Sequence, residues 1–283
     1  MSKIAIVTDS TAYLPDDLVE QYKISVVPQV LIWGGETMRD GIDIDAEEFY
    51  NRLANTDVMP TTSQASVVDF KDTFDRLSNE GYEILAVLVS EGLSGTVDSA
   101  RGAKEMCPDA KIEIINSGTV SMELGFHVLA AARAAAAGAS LAECKAEAED
   151  ARERTGIVFA VDTLEFLHRG GRIGSAARFM GTALQMKPIL TLANGRIEPL
   201  ERVRTKRKSH QRLVELIGAT SADYPKIQLG VIHANAPDDA DALLAAAKQA
   251  LPNITETFIT GVSPIVGTHV GPGTVGLSFL GED

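Results

Sequence analysis

The segment that most restricts what this chain can fold into is residues 84–99, ILAVLVSEGLSGTVDS. Its first six residues are apolar without a break. Such a run is too short to span a membrane and suits a strand buried on both faces, as in a parallel sheet covered by helices. Gly92-Leu93-Ser94-Gly95-Thr96 follows, with two glycines bracketing a serine, and a helix is predicted from near Thr96 with Ala100 and Ala103 on one side. Strand, glycine-flanked hydroxyl and helix N-terminus in that order put Ser94 at the carboxyl edge of a sheet. The first N–H groups of that helix have no partner within it, so a carboxylate or phosphate is favoured there.

The remainder of the chain extends this pattern. Residues 3–7 read as a first strand, followed by four oxygen-bearing side chains, Thr8-Asp9-Ser10-Thr11, and a helix over 14–22 opened by Pro15. Residues 24–33 form a second β-rich run broken by Pro28, which places it at a sheet edge or bends it. A short helix is predicted over 45–53 with Asp45 as N-cap, and another after Ser66, where Val67, Phe70, Phe74 and Leu77 keep helical spacing. Capping needs only Ser66, so Thr61, Thr62 and Ser63 are surplus hydroxyls with a ligand role open to them. A strand over 111–115 and helices over 122–137 and 141–154 continue the alternation, which implies a mainly parallel sheet wrapped by helices.

At 283 residues the chain is long for one core, and a boundary is placed at Thr155-Gly156. Beyond it the style changes. Residues 189–192 and 197–203 flank Asn194-Gly195, a strong hairpin signal, so this part should contain a mixed sheet. Before the hairpin, a glycine-rich loop carries Arg169 and Arg172, and a helix is predicted over 176–185. Strands over 157–161, 227–233, 254–259 and 275–279 and a helix over 240–251 complete the second unit. Gly267-Thr268-His269-Val270-Gly271-Pro272-Gly273 is read as too glycine-rich for a regular element.

Several chemistries are disfavoured. The net charge is −13, which argues against general affinity for nucleic acid or an anionic membrane. Cys107 and Cys144 form no CxxC pair, and no His/Cys spacing of metal-binding type occurs. The N-terminus, MSKIAIVTDS, has no apolar signal-peptide core, so a cytoplasmic protein is expected. Ser94 with the distant His269 invites a serine hydrolase or acyltransferase reading, yet Thr96 stands where a nucleophile elbow requires glycine. No G-x-x-x-x-G-K-[ST] loop is present for a nucleotide. Arg172 suits either an anion ligand or a turn residue. Arg202, Arg204, Lys206, Arg207, Lys208 and Arg212 form the only dense basic run, either a solvated helix entry or a docking patch for an acidic or phosphorylated partner.

Taken together, Thr8-Asp9-Ser10-Thr11 with Leu14-Pro15, Pro60-Thr61-Thr62-Ser63-Gln64, Leu93-Ser94-Gly95-Thr96, Gly170-Gly171-Arg172-Ile173, Lys187-Pro188-Ile189-Leu190, Arg204-Thr205 and Gly271-Pro272-Gly273 resemble the DegV family of bacterial fatty-acid-binding proteins. The resemblance implies a two-domain α/β fold, residues 1–155 and 156–283, with a long-chain fatty acid such as palmitate in a tunnel between the domains. Carried over by position, Thr62, Ser94 and His269 would hydrogen-bond the carboxylate, with Ser63, Gly95, Thr96 and Arg172 as flanking contacts. Such proteins are similar to the lipid-presenting subunit of bacterial fatty acid kinase, whose separate ATP-binding subunit makes the acyl phosphate. On that scheme the chain is not itself an enzyme and needs no cofactor. Arg172 and Arg204 are expected near the tunnel mouth, and Arg202, Arg204 and Arg207 at the partner surface.

Overall fold

A computed structural model describes residues 3–181 and 186–283. The N-terminal half runs β1 (Lys3–Asp9), α1 (Asp16–Tyr22), β2 (Ser25–Val27), β3 (Val30–Trp33), β4 (Glu36–Arg39), α2 (Ala46–Ala54), β5 (Thr61–Ser63), α3 (Val67–Asn79), β6 (Tyr82–Leu88), α4 (Thr96–Glu105), β7 (Ile112–Asn116), α5 (Ser121–Ala136) and α6 (Leu141–Glu153). The C-terminal half runs β8 (Thr155–Ala160), α7 (Glu165–Arg169), a 3-10 turn (Gly174–Phe179), β9 (Lys187–Ala193), β10 (Arg196–Val203), α8 (Lys206–Thr220), β11 (Lys226–His233), α9 (Pro237–Ala250), β12 (Ile254–Gly261), α10 (Pro264–Val270) and β13 (Val275–Glu282).

The apolar run of β6 lies second from one edge of a parallel sheet ordered β2-β1-β6-β7. Residues 84–88 are wholly buried between helices, as a strand without hydrophobic alternation requires. The C-terminal half holds a mixed six-stranded sheet ordered β10-β9-β8-β13-β11-β12, in which only β11 and β12 are parallel. Asn194 and Gly195 make the β9–β10 turn with φ of 51° and 74°, the left-handed pair that a tight two-residue hairpin needs. The chain is thus an α/β protein whose two larger sheets are one parallel and one mixed.

Helix α5 sits between the two sheets. Nine consecutive residues, Ser121 to Leu129, are buried, the pattern of a helix covered on all sides. Leu124 and Val128 pack with Ile6, Leu85 and Val87 of the parallel sheet. Met122, Phe126 and Leu129 pack with residues of the mixed sheet, including Ile157, Ile232 and Phe258. Gly125 lets the helix approach the first loop, because a Cβ there would lie 2.6 Å from the Ala12 carbonyl oxygen. Two polar side chains on this buried helix find partners, Glu123 accepting from Thr119 and His127 Nε2 meeting Thr155 Oγ1 at 2.8 Å, while Ser121 Oγ and His127 Nδ1 have none among the described residues.

Four expectations need correction. The run over 24–33 is two strands: Pro28 ends pairing with β1, and β3 joins a separate three-stranded sheet, β4-β3-β5, which the sequence did not reveal. Thr61 to Ser63 are therefore strand residues, with Thr62 opposite Leu31. Residues 264–270 form α10, so His269 is on a helix and not in an irregular loop. The helix predicted over 176–185 is a 3-10 turn as far as Phe179, and its end falls outside the described residues. Caps at Asp45 and Ser66 form as expected, accepting from Glu48 N and Asp69 N.

The hairpin turn of the C-terminal half docks on the loop after β6. Ser90 Oγ donates to Gly195 O at 2.8 Å, and a Cβ on Gly92 would lie 2.3 Å from that same oxygen. Gly92→Ala should therefore cost about 1–3 kcal/mol through forced backbone displacement, read as a lowered urea midpoint with an unchanged slope.

Candidate lipid head-group site and cavity

Where α5 begins, the two halves form the walls of a partly open cavity. Most of its wall is apolar: Val89, Leu93 and Val120 from the N-terminal half, and Ile157, Phe159, Leu192, Ile197, Ile232, Ile265, Val266 and Val270 from the C-terminal half. Polar side chains on the wall include Thr62, Ser63, Gln64, Ser94, Arg172 and His269. A largely apolar hollow with a few polar groups is the usual form of a small-molecule site.

Each of these polar side chains is set by local structure. Strand β5 places Thr62, whose Oγ1 lies 2.8 Å from His269 Nε2 on α10, so one hydrogen bond joins the two halves at the wall. After β6, Leu93 N and Ser94 N both donate to Ser90 O at 3.0 Å, closing a turn that leads into α4. Gly95 caps α4 without any side-chain bond, which leaves the first helical N–H groups beside Ser94. Ser94 Oγ meets Thr96 Oγ1 at 2.9 Å. Arg172 is pinned by its neighbours: Nε donates to Leu93 O at 3.0 Å and Nη1 to Gly170 O at 2.8 Å.

His269 is neutral at physiological pH. Burial, reinforced by the Arg172 charge, pushes its pKa down to about 4. Its Nδ1 is buried without a hydrogen-bond partner among the described residues and lies against Gly170, where a Cβ would come within 2.1 Å. Hydroxyls, a neutral imidazole and a fixed guanidinium together can receive an anion whose remaining surface is apolar.

Thr62, Ser63, Ser94, Arg172 and His269 are thus brought to one cavity. Gly95 and Thr96 stand behind Ser94 and are not on the wall. The basic residues lie elsewhere. Arg202 is on β10 with its guanidinium 4.7 Å from the Phe179 ring centre, while Arg204 and Arg207 are exposed at the start of α8. Arg204 is not among the residues of the cavity wall. Gln29 and Ser121 line the cavity without having been singled out, and Thr11 and Gln64, which also line it, were named only as members of longer motifs. Gly170, required by the His269 ring, also went unassigned, although it lies in the Gly170-Gly171-Arg172 motif.

Residues 3–282 match the model of the family described as "Uncharacterised protein, DegV family". The chain belongs to the DegV family. A DegV domain-containing protein of Streptomyces coelicolor is 38% identical over 275 residues, 97% of each chain. Among solved structures, a DegV family protein from Thermus thermophilus described by its fatty acid binding superposes with a TM-score of 0.94 at 32% identity, covering 99% of this chain and 100% of that one. DegV from Bacillus subtilis, described as a fatty acid binding protein, superposes with a TM-score of 0.90 at 31% identity over the whole of both chains.

In this DegV-family chain the hydrolase reading finds no geometric support. Ser94 Oγ is bonded to Thr96 and His269 Nε2 to Thr62, and no carboxylate orients the imidazole through Nδ1. Among the described residues no group of three His, Cys, Asp or Glu is placed to hold a metal ion, and no helix is long and apolar enough to cross a membrane.

His269 makes one contribution to the pH dependence of stability. Its folded pKa of about 4 lies below the ordinary imidazole value of 6.5, so between these values the unfolded chain binds more protons and stability falls as pH is lowered. The contribution is on the order of 3 kcal/mol. His269→Gln should flatten the loss of unfolding free energy between pH 6.5 and 4 by up to about that amount, measured by denaturant titration at each pH.

Proposed function

We propose that the chain binds a long-chain fatty acid in this cavity and presents its carboxylate for reaction elsewhere. The observation that carries the reading is the cavity itself: apolar over most of its wall, with Thr62, Ser94 and His269 among the polar groups that face into it. At roughly 0.8 kcal/mol per methylene, a long acyl tail supplies on the order of 10 kcal/mol gross before association and ordering costs. The tail then gives affinity, and the hydroxyls give orientation. Thr62, Ser94 and His269 bond the carboxylate, Ser63 and Arg172 flank it, and Gly95 and Thr96 support Ser94 from behind. The similar proteins from Thermus and Bacillus, both described as fatty-acid-binding, favour the same ligand class. Residues 1–155 and 156–283 each supply one side of the enclosure.

The finer reading is that the carboxylate is offered to a separate ATP-binding kinase subunit in the cytoplasm, which forms the acyl phosphate. What favours it is charge. In a chain of net charge −13, Arg204 and Arg207 are exposed and make no ion pair among the described residues, whereas Arg212 is held by Glu201 and Glu215 and Lys206 by Asp239. Together with Arg202 they form the docking surface.

Native mass spectrometry of protein purified without added ligand tests the lipid claim. A noncovalent fatty-acid mass, lost on denaturation, is expected; protein that carries none and takes up none from a fatty-acid mixture contradicts it. Ser94→Ala should retain most of the lipid yet lower acyl phosphate formation at least ten-fold, the cost of losing a charge-assisted hydrogen bond at about 1.5–3 kcal/mol. Charge reversal at Arg202, Arg204 and Arg207 should abolish stimulation by the kinase subunit while lipid content stays constant; unchanged coupling removes the docking proposal.

A further inference from the structure

Helix α10, which carries His269, is fastened to the N-terminal half at both ends, and only the His269–Thr62 end lies in the lipid site. At its start Ser263 occupies the cap position, yet its hydroxyl makes no bond to the helix backbone. Instead Ser263 Oγ donates to Asp40 Oδ2 at 2.8 Å and lies 2.9 Å from Tyr13 Oη. A serine hydroxyl has one proton to give, so with that proton on Asp40 the Tyr13 hydroxyl is the donor to Ser263. The order is Tyr13 to Ser263 to Asp40, crossing between the halves. One residue earlier, Tyr50 Oη donates to Val262 O at 3.1 Å.

Asp40 is an unusual choice for this position. The side chain is only 3% exposed, and its Oδ1 makes no hydrogen bond of good geometry. It borders a second cleft whose wall includes Asp9, Asp16, Ser10, Tyr13, Thr260 and Ser263 and no lysine or arginine. A buried carboxylate with hydroxyl neighbours and no cation is costly. What a carboxylate provides that an amide does not is a charge-assisted grip on the Ser263 hydroxyl.

We propose that Asp40 is a positioning residue for the lipid head-group site: through Ser263 it fixes the start of α10, and thereby the place of His269 against Thr62. Ile265, Val266 and Val270 of the same helix line the cavity, so the start of α10 also bears on how firmly the tail is enclosed. This functional consequence rests on the fatty-acid reading above.

The grip depends on pH. Burial pushes the Asp40 carboxyl up to about 6, with the Ser10 and Ser263 hydroxyls opposing and Asp9 adding to the rise. Above that pH the carboxylate holds Ser263; below it the neutral acid holds it less firmly. The other charged or titratable groups around it are Asp9 on β1, Tyr13 and Asp16 at α1, Tyr50 on α2, the Arg39–Asp43 ion pair on the adjoining turn, and His233 on β11, whose carbonyl accepts Val262 N. Because the folded pKa is raised, the charged form opposes folding at neutral pH. Asp40→Asn should therefore melt no lower than the parent, which separates positioning from a merely structural role.

The test is release of a fluorescent eighteen-carbon fatty acid to acceptor vesicles at pH 7.5, 6.5 and 5.5, together with amide hydrogen exchange of residues 264–270 in lipid-free protein. At pH 7.5, Asp40→Asn and Ser263→Ala should each release lipid about five-fold faster, the factor that one hydrogen bond of ordinary net strength supplies. The double variant should be no faster than either single one. The acceleration of the parent between pH 7.5 and 5.5 should shrink in Asp40→Asn; a step of undiminished size assigns it to His233 or to the lipid carboxyl and overturns the pH dependence. Faster exchange of 264–270 in Asp40→Asn supports the latch whether or not lipid is bound, so failure of the parent to bind fatty acid would remove the lipid reading alone. Unchanged release and exchange in both single variants, or additive effects in the double, would overturn the positioning role.

Discussion

A helix buried on every side imposes the architecture. With Ser121 to Leu129 all inaccessible, α5 is stable only if one sheet covers each flank, so the parallel sheet and the mixed sheet must face each other across it. At the start of α5, Val120 and Ser121 border the hollow together with Val89, Ile157 and Ile232. The cavity is thus a consequence of how the two halves close. Its apolar walls are the continuation of the strands that pack on α5.

The polar groups on that wall suit the proposed acidic ligand, which they would hold with little ionic pairing. Arg172 spends hydrogen bonds on the carbonyls of Leu93 and Gly170, so it contributes a fixed positive field more than a flexible partner. His269 stays uncharged because it is desolvated and stands near that guanidinium. In the proposed function, hydroxyl donors at Ser94 and Thr62 carry the direct contacts. Donors of this kind orient a carboxylate without locking it into an ion pair.

Local sequence signals gave much of the fold and part of the site. The unbroken apolar β6, the Asn194-Gly195 turn and the caps at Asp45 and Ser66 are all decided within a few residues, and all four formed. The failures share one cause, tertiary pairing between distant segments. Thr61 to Ser63 become a strand only because Val30 to Ile32 offers an edge, and nothing in a threonine-serine run announces that. Residues 264–270 contain a glycine that local propensity counts against a helix, yet a Cβ at Gly267 would lie 2.7 Å from Tyr50 Oη. The glycine serves close packing on α2, and α10 forms around that contact. Family resemblance grouped Thr62, Ser94 and His269 ahead of any structure. It did not reveal that Thr62 and His269 bond each other.

The central claim is about where one functional group lies, so the most direct measurement is a crystal structure of the chain with the lipid it retains from expression, at a resolution that orients the head group. The account predicts continuous acyl density between β8, β11 and α10, with the carboxylate within hydrogen-bonding distance of Ser94 Oγ and of the Thr62–His269 pair. A hollow filled with ordered water, or a lipid whose carboxylate points away from Ser94, would contradict it.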